Sequence, residues 1–98
     1  MRFLFVHFEI PNNKIHEFDL AFHRLVKWPL YTLYESEANA DRKTFELTRQ
    51  WENEEEMQRE LDSREFTNMI GMIKVLGKVS QSDIYDVTSQ EDLLHYMN

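Results

Sequence analysis

One apolar segment near the start of the chain, at residues 3–10, limits most strongly what the chain can fold into. In an extended conformation its side chains alternate between two faces, and both faces are largely apolar. One face carries Phe3, Phe5, His7 and Glu9, and the other carries Leu4, Val6, Phe8 and Ile10. A strand that is apolar on both faces is covered on both faces. The segment therefore predicts a strand over residues 2–10 with other groups packed on either side.

The segments that follow have helix and strand patterns. Ile15, Phe18 and Phe22 lie at helical spacing after a turn at residues 11–13, and Pro29 predicts that this helix ends by residue 28. Residues 30–38 and 43–51 are typical of strands, and the polar turn between them predicts a hairpin. On the second of these strands, one face carries Phe45, Leu47, Arg49 and Trp51.

The second half of the chain begins with an acidic helix start. Asn53 and Glu56 have the spacing of a capping box, in which the Asn53 side chain caps the helix. Ser63 is expected to break or re-cap this helix, and a second apolar stripe then ends near Gly77. Residues 82–88 predict the last strand, and residues 90–98 a C-terminal tail with a short helix.

The predicted order of elements is β-α-β-β-α-β. This is the order of the ferredoxin-like α+β fold, in which an antiparallel sheet carries both helices on one face. Whichever face of the first strand turns to the helices, the other leaves an apolar surface on the open face of the sheet. An exposed apolar sheet face is an association surface, and a two-fold pair is the commonest assembly. We therefore expect a homodimer in which two sheets pack through their open faces.

Length and charge narrow the range of functions. The chain has 98 residues, which fits a single domain over residues 1–98. Eleven basic and eighteen acidic residues give a formal net charge of −7, which disfavours nucleic acids and anionic membranes as partners. Because the chain has no cysteine, neither disulfides nor thiolate-bound zinc can form. No apolar run approaches the roughly 20 residues of a membrane span, and we expect a cytoplasmic protein.

Two neighbouring segments resemble a known family. The sequence FELTRQWENEE at residues 45–55 and the sequence LDSREF at residues 61–66 are similar to segments of the antibiotic biosynthesis monooxygenase (ABM) superfamily. In those domains a strand ending in Trp is followed by an acidic helix start and a Leu-x-Ser-x-x-Phe-like segment. The order of elements over residues 2–88 is similar as well. Glu60 stands where the family often has His.

This resemblance implies a dimeric α+β barrel with a pocket between the helices and the sheet of each subunit. We keep two hypotheses for the function: a cofactor-independent monooxygenase acting on a quinol- or anthrone-like aromatic molecule, and a non-catalytic dimer of the same fold that binds a small molecule or a protein. The haem-degrading branch is set aside, because the places of its required Asn, Trp and His hold His7, Glu60 and Ile70. We expect no cofactor.

His7 is the candidate catalytic residue. The resemblance implies that its face of the first strand looks towards the helices and the pocket. There a neutral imidazole could take a phenolic proton near neutral pH. The alternative is a packed histidine that bonds to a neighbouring carbonyl or hydroxyl group. A buried cavity that His7 reaches would favour the enzyme, whereas a cavity filled by side chains would favour the binding module.

Six other residues are candidates for binding the substrate: Phe5, Phe22, Tyr31, Tyr34, Trp51 and Met69. Tyr31 and Tyr34 lie on opposite faces of one strand, so only one of them can line the pocket. Trp51 can stack on a flat aromatic ligand, or it can fill the core beneath a helix.

A metal site is not expected. His16, Asp19 and His23 lie on one side of the first helix at spacings of three and four residues. A metal site needs such spacing, but it also needs further ligands and a supporting shell that the sequence pattern does not show. We interpret the three residues as the solvated flank of an amphipathic helix.

Overall fold

The structure is a computed structural model, and it describes residues 1–25, 30–38 and 41–86 of the chain. In chain order the elements are β1 (Arg2–Pro11), a short 3-10 turn (Asn12–Lys14), α1 (Ile15–Leu25), β2 (Thr32–Ala38), β3 (Arg42–Trp51), α2 (Glu54–Leu61), α3 (Arg64–Leu76) and β4 (Lys78–Asp86). The predicted order of elements is confirmed, with the second helix divided into two pieces.

The four strands form one antiparallel sheet in the order β2-β3-β1-β4. β1 lies inside the sheet, where it pairs along its whole length with β3 and on its other side with β4. β2 and β3 form the predicted hairpin, and their pairing begins at Thr32 opposite Thr48. The predicted ferredoxin-like α+β layout is therefore confirmed.

Packing decides which face of β1 turns to the helices. Between the sheet and the helices lie Leu4, Val6, Phe8 and Ile10 of β1, Phe18 and Phe22 of α1, and Met69 and Ile73 of α3. The centroid of the Phe8 ring is 5.6 Å from that of Phe18 and 5.4 Å from that of Phe45. Aromatic rings at these distances stabilise the core beyond the burial of their surface. By alternation, Phe5 and His7 lie on the opposite, open face.

Two side-chain caps set where helices α2 and α3 begin, next to the end of β3 at Trp51. The Asn53 side chain accepts a hydrogen bond of 2.9 Å from the backbone N–H of Glu56, which caps α2 as predicted. The Ser63 hydroxyl donates to the carbonyl oxygen of Glu60 at 2.6 Å and accepts from the backbone N–H of Phe66 at 3.2 Å. Ser63 therefore ends α2 and caps α3, so the predicted re-capping is confirmed.

The chain passes from α3 into β4 at Gly77. A Cβ atom here would clash with the carbonyl oxygen of Glu9, so the close approach of the two segments requires glycine. β4 then begins at Lys78, opposite Glu9, and not at residue 82 as predicted. The first residues of β4 are mostly polar, and their place in the sheet comes from backbone pairing with β1 and not from a hydrophobic pattern.

Other boundaries differ less. β2 begins at Thr32 and not at residue 30. The predicted end of the first helix, part of the hairpin turn, the end of the last strand and the tail at residues 90–98 lie outside the described residues. In the part of the chain that the structure describes, no helix combines the length and the apolar character needed to cross a membrane.

Candidate functional site

A cavity of about 420 Å³ lies between one end of the sheet and helices α2 and α3. This volume is within the range of small-molecule sites, which is about 300–1,000 Å³. Its described lining residues are Leu30, Tyr31, Arg49, Trp51, Glu56, Arg59, Glu60, Ser63, Glu65, Phe66 and Met69. The wall is therefore mixed, with apolar and aromatic groups beside several charged ones.

Four elements bring these side chains together. Arg49 and Trp51 share one face of β3, as the sequence predicted, and the structure turns this face to the helices. Tyr31 immediately precedes β2, and Glu60 lies in the last turn of α2. The break at Ser63 then directs the first turns of α3 across the cavity, so that Phe66 and Met69 line it.

The polar centre of the cavity is a network of three side chains. The Tyr31 hydroxyl donates to Glu60 Oε2 at 2.6 Å. Arg49 donates from Nε to Oε2 at 2.9 Å and from Nη2 to Oε1 at 3.0 Å. The paired Arg–carboxylate geometry is the strong form of such a bond. Both side chains of the ion pair are largely buried, with 16% of Arg49 and 22% of Glu60 exposed.

The network fixes the charges of its members. Burial alone would raise the pKa of Glu60, but the hydrogen bonds from Arg49 and Tyr31 and the charge of Arg49 outweigh it, so the pKa is lowered. Burial, followed by the hydrogen bond to Glu60 and its negative charge, raises the pKa of Tyr31 well above its ordinary value. At neutral pH Glu60 is therefore an ionised acceptor and Tyr31 a neutral donor.

Arg49 also packs against two aromatic rings. Its guanidinium carbon lies 5.1 Å from the Trp51 ring centroid and 5.8 Å from the Tyr31 ring centroid, within the range of cation–π contacts. Its Nη1 donates to the carbonyl oxygen of Gln50. These contacts hold Arg49 in one orientation between the sheet and α2.

Trp51 supplies a polar group that the described residues leave unused. The side chain is 3% exposed, and its buried Nε1 has no hydrogen-bond partner among the described residues. The indole lies close enough to Glu60 to help lower the pKa of that carboxyl, although the two do not meet in hydrogen-bonding geometry. A buried donor without a partner is costly, so an acceptor supplied by a ligand would gain a bond here.

Three of the predicted binding residues meet at the cavity, namely Tyr31, Trp51 and Met69. Phe22 is buried in the core against Phe18, with ring centroids 5.5 Å apart, and is not among the described lining residues. Tyr34 lies on the open face opposite Glu46 and is 47% exposed. Only one of the two tyrosines can face the cavity, and it is Tyr31.

His7 and Phe5 occupy a different place from the one expected. Both lie on the open face, where their rings are 6.5 Å apart edge to face. His7 is paired in register with Glu46 of β3 and Gln81 of β4. The expectation that this face looks towards the helices is corrected, because the helix side of β1 is filled by Leu4, Val6 and Phe8.

Sequence analysis missed Arg49 and Glu60 as site residues. Glu60 was interpreted as part of a solvated helix face, because α2 begins with several glutamates. The available signal was Arg49 itself, which shares a strand face with Phe45, Leu47 and Trp51. A cation on a buried face needs a carboxylate partner, and the following helix is the nearest source of one.

Within residues 1–25, 30–38 and 41–86, no group of three or more His, Asp or Glu side chains could hold a metal ion. This includes His16, Asp19 and His23. The solvated flank predicted for them agrees with their exposed positions on α1.

Comparison with known proteins identifies the fold of the chain. No protein-family model and no curated protein matches the sequence. A solved antibiotic biosynthesis monooxygenase superposes with a TM-score of 0.66 at 15% identity, covering 91% of this chain and 100% of that one. The chain has the antibiotic biosynthesis monooxygenase fold. The resemblance found in the sequence is thus confirmed for the fold.

Two further structures share this ABM fold. A conserved protein of unknown function from Bacteroides thetaiotaomicron has a TM-score of 0.71 at 18% identity, covering 88% of this chain and 96% of that one. SnoaB, a cofactor-independent oxygenase from Streptomyces nogalater, has a TM-score of 0.59 at 14% identity, covering 90% of this chain and 94% of that one. At these identities the likeness establishes the fold, and the chemistry must be argued from the site.

Proposed function

We propose that the protein is a cofactor-independent monooxygenase that oxidises a small, quinol- or anthrone-like aromatic molecule in the cavity beside Trp51. The ABM fold, shared with the cofactor-independent oxygenase SnoaB, supports this proposal. The volume of the cavity and its aromatic wall support a flat substrate.

The observation that carries the proposal is the buried N–H of Trp51, which has no hydrogen-bond partner in the described part of the chain. The indole ring offers a flat wall for an aromatic substrate, and its N–H offers a donor at the edge of that wall. A ligand oxygen that becomes negatively charged during the reaction gains most from a fixed donor in a site shielded from water. A substrate carbonyl that becomes an enolate oxygen is such a group.

The reaction needs an electron-rich substrate anion and dioxygen. A substrate CH₂ group between aromatic rings loses a proton, and the resulting carbanion gives one electron to dioxygen. The carbon radical and superoxide combine and take back a proton as a hydroperoxide, which loses water and leaves a ketone. One oxygen atom of dioxygen thus enters the substrate and the other leaves as water.

The buried centre of the cavity is suited to hold the substrate anion and poorly suited to take up the proton, whereas the carboxylates of Glu56 and Glu65 lie at its exposed rim. Both oxygens of Glu60 already accept hydrogen bonds, and Arg49 and Tyr31 keep this carboxylate ionised. His7 lies on the other face of the sheet. We therefore propose that the proton leaves to solvent, while the Trp51 N–H stabilises the anion.

We also propose a homodimer that forms through the open face of the sheet. Phe5 and Tyr34 lie there with part of their surface exposed, beside His7. Burying such aromatic groups against a second copy removes them from water without disturbing the core.

Oxygen uptake tests the proposed reaction. We expect anthrone, which has the required CH₂ group, to consume oxygen in the presence of the protein, without added flavin or metal. Trp51→Phe keeps a flat ring and removes the N–H, and it should lower kcat/KM by about 10- to 100-fold, as for a hydrogen bond to a charged group. Tyr34→Phe removes a polar group from the open face and serves as the control, with uptake unchanged. Equal rates for wild type and Trp51→Phe would contradict the role of the N–H.

The binding module remains the second candidate, because of one specific observation. The Glu60, Tyr31 and Arg49 side chains bond to one another, and the other two carboxylates of the described lining, Glu56 and Glu65, are exposed, so the buried centre of the cavity keeps no spare acid or base among the described residues. A protein that binds anthrone, shown by quenching of tryptophan fluorescence, but consumes no oxygen with it would favour this second function.

A further inference from the structure

The edge of the cavity carries two carboxylates that stand outside the network at its centre. Glu56 lies in the first turn of α2 and Glu65 in the first turn of α3, and both line the cavity with exposed side chains. Neither carboxylate has a hydrogen bond or an ion pair with another described residue. We call these two residues the acidic rim. Two helix starts thus bring two negative charges to one opening.

The other glutamates in the first turn of α2 are already paired. Glu54 Oε1 lies 3.1 Å from Arg2 Nη2, and Glu55 Oε1 lies 3.5 Å from Arg59 Nη2. Both suit the positive end of the helix dipole as well as Glu56 does. The helix start therefore explains why this turn is acidic. It does not explain why the carboxylate without a described partner is the one that lines the cavity.

No cation of the described lining is left over to balance the acidic rim. The charge of Arg49 is paired with Glu60 inside the cavity, and that of Arg59 with Glu55 at the surface. Residues 52–65 contain seven acidic residues and two basic ones, so they carry −5 of the formal net charge of −7. A cleft lined by one sign of charge concentrates ions of the opposite sign.

The buried end of the cavity has a different requirement. There the N–H of Trp51, whose side chain is 3% exposed, has no acceptor among the described residues and needs an oxygen atom. The N–H and the acidic rim belong to the same cavity of about 420 Å³. One ligand can satisfy both with an oxygen at one end of a flat ring and a positive charge at the other.

The proposed reaction adds a reason for that positive charge. A substrate anion formed beside Trp51 meets no unpaired cation of the described lining, and the acidic rim repels it. A cation on the substrate itself offsets this repulsion, because it lies nearer to the acidic rim than the anion does.

We propose that the acidic rim is a subsite for an ammonium group, and that the ligand of the cavity is a flat aromatic molecule with a protonated amine on a short arm. The ring lies against Trp51, and the amine lies between the carboxylates of Glu56 and Glu65. This inference rests on the proposed binding of an aromatic molecule in the cavity, and it adds the class of substituent that the protein selects. An aromatic acid is disfavoured by the same charges.

Three probes that share one ring system test the inference by calorimetry at low ionic strength. They are 6-(aminomethyl)-2-naphthol, 6-(hydroxymethyl)-2-naphthol and 6-hydroxy-2-naphthoic acid, which are cationic, neutral and anionic at neutral pH. We expect the amine to bind about 5- to 10-fold more tightly than the alcohol, and the acid more weakly than the alcohol by a similar factor. Both differences should shrink in about 0.5 M salt, which screens exposed charges.

Variants of the acidic rim locate the effect. Glu56→Gln and Glu65→Gln should each reduce the preference for the amine by about 2- to 3-fold, and the double variant should bring the three affinities within about 2-fold of one another. Asp19→Asn is the matched control. It also removes one negative charge from an exposed helix position, but α1 supplies no described residue to the cavity lining, so the full preference should remain.

Equal affinities of wild type for the amine and the alcohol would overturn the inference. An equal loss for all three probes in the double variant would overturn it too, because it would mean that the two glutamates only support their helices. The failure of the proposed reaction looks different. A protein that prefers the amine and consumes no oxygen with anthrone keeps the subsite and contradicts the oxygenase. Oxygen uptake with anthrone and no preference among the probes does the reverse. Failure of all three probes to bind overturns the subsite and the aromatic site together.

Discussion

On the helix side of β1, Leu4, Val6 and Phe8 are at most 2% exposed, whereas on the open side Phe5 and His7 are only partly buried. The two sets alternate along the same strand, so their local sequence environment is nearly the same. The difference comes from what covers each face. Two helices close the first, whereas on the second face of β1 Phe3 is buried at one end and Phe5, His7 and Glu9 are only partly covered.

Charged side chains also have different surroundings on the two faces of the sheet. On the helix side, Arg49 and Glu60 are buried together and fully bonded to each other. On the open side, Glu9 pairs with Arg42, whose side chain is 52% exposed, so that ion pair stays in contact with solvent. A charge is tolerated in the interior only when it is paired, so the helix side can hold a rigid site. The open side is better suited to association.

The largest expected effect is on the helix side. Phe8→Ala should lower the free energy of unfolding by about 3–5 kcal/mol, because it leaves a cavity beside the rings of Phe18 and Phe45. Phe5→Ala, on the same strand but the opposite face, should cost less than half as much. Urea denaturation of the two variants measures the difference. Equal losses would mean that the two faces are equally covered in the folded protein.

The next effect concerns assembly. Phe5→Lys should convert the proposed homodimer to a folded monomer, because it places a charge in the apolar contact between two sheets. Val6→Lys places the same charge in the core and should unfold the chain. Light scattering and circular dichroism separate these two results. A wild-type protein that scatters as a monomer at micromolar concentration would contradict the dimer.

A smaller effect is expected for the ionic network. Glu60→Gln removes the charge that pairs with Arg49 and should lower the free energy of unfolding by about 1–3 kcal/mol. Glu55→Gln is the control, because Glu55 pairs with Arg59 on the surface, where 86% and 74% of the two side chains are exposed. That change should stay within about 0.5 kcal/mol.

The effect of Glu60 should also depend on pH. Its pKa in the folded protein is lowered from its ordinary value of 4.5, so its contribution to stability is complete above that value. The contribution is lost as the pH falls through the lower pKa of the folded state. The difference in stability between wild type and Glu60→Gln should therefore be constant near neutral pH and shrink below pH 4.5. A difference that grew on acidification would show that Glu60 is not held as the anion.

The smallest effect is predicted for His7. Since His7 lies across the sheet from the cavity, His7→Gln should leave oxygen uptake near the wild-type rate. Loss of a general base usually costs about 10²–10⁴-fold. A loss of that size would show that His7 takes part in the chemistry, and the division of roles between the two faces would then be wrong.

The same contrast shows what the sequence could reveal. The helix starts at Asn53 and Ser63 were predictable, because caps depend on residues three positions apart. The orientation of β1 was not predictable. Alternation sorts its residues into two faces, but because both faces are apolar it does not tell which one packs against the helices. The choice depends on the helices that pack against the sheet, which is tertiary information.

The residues of the candidate site also fall into two groups, those that the sequence suggested and those that it did not. Trp51 at the end of β3 was a candidate from the sequence, and the opposed tyrosines of the hairpin reduced the choice to Tyr31 or Tyr34 without deciding between them. The pairing of Arg49 with Glu60 joins a strand to a helix 11 residues later. It depends on the angle at which α2 leaves the sheet, and no local pattern encodes that angle.

The break at Ser63 has a consequence for how this fold can be altered. It leaves α2 as an eight-residue unit with Met57 as its buried residue, held to the sheet side by the bonds of Glu60. Such a unit can be exchanged or resized while the sheet, α1 and α3 remain as they are. New ligand preferences can then arise by replacing one short wall of the cavity, provided that the new segment keeps a carboxylate for Arg49 and an apolar residue in the place of Met57.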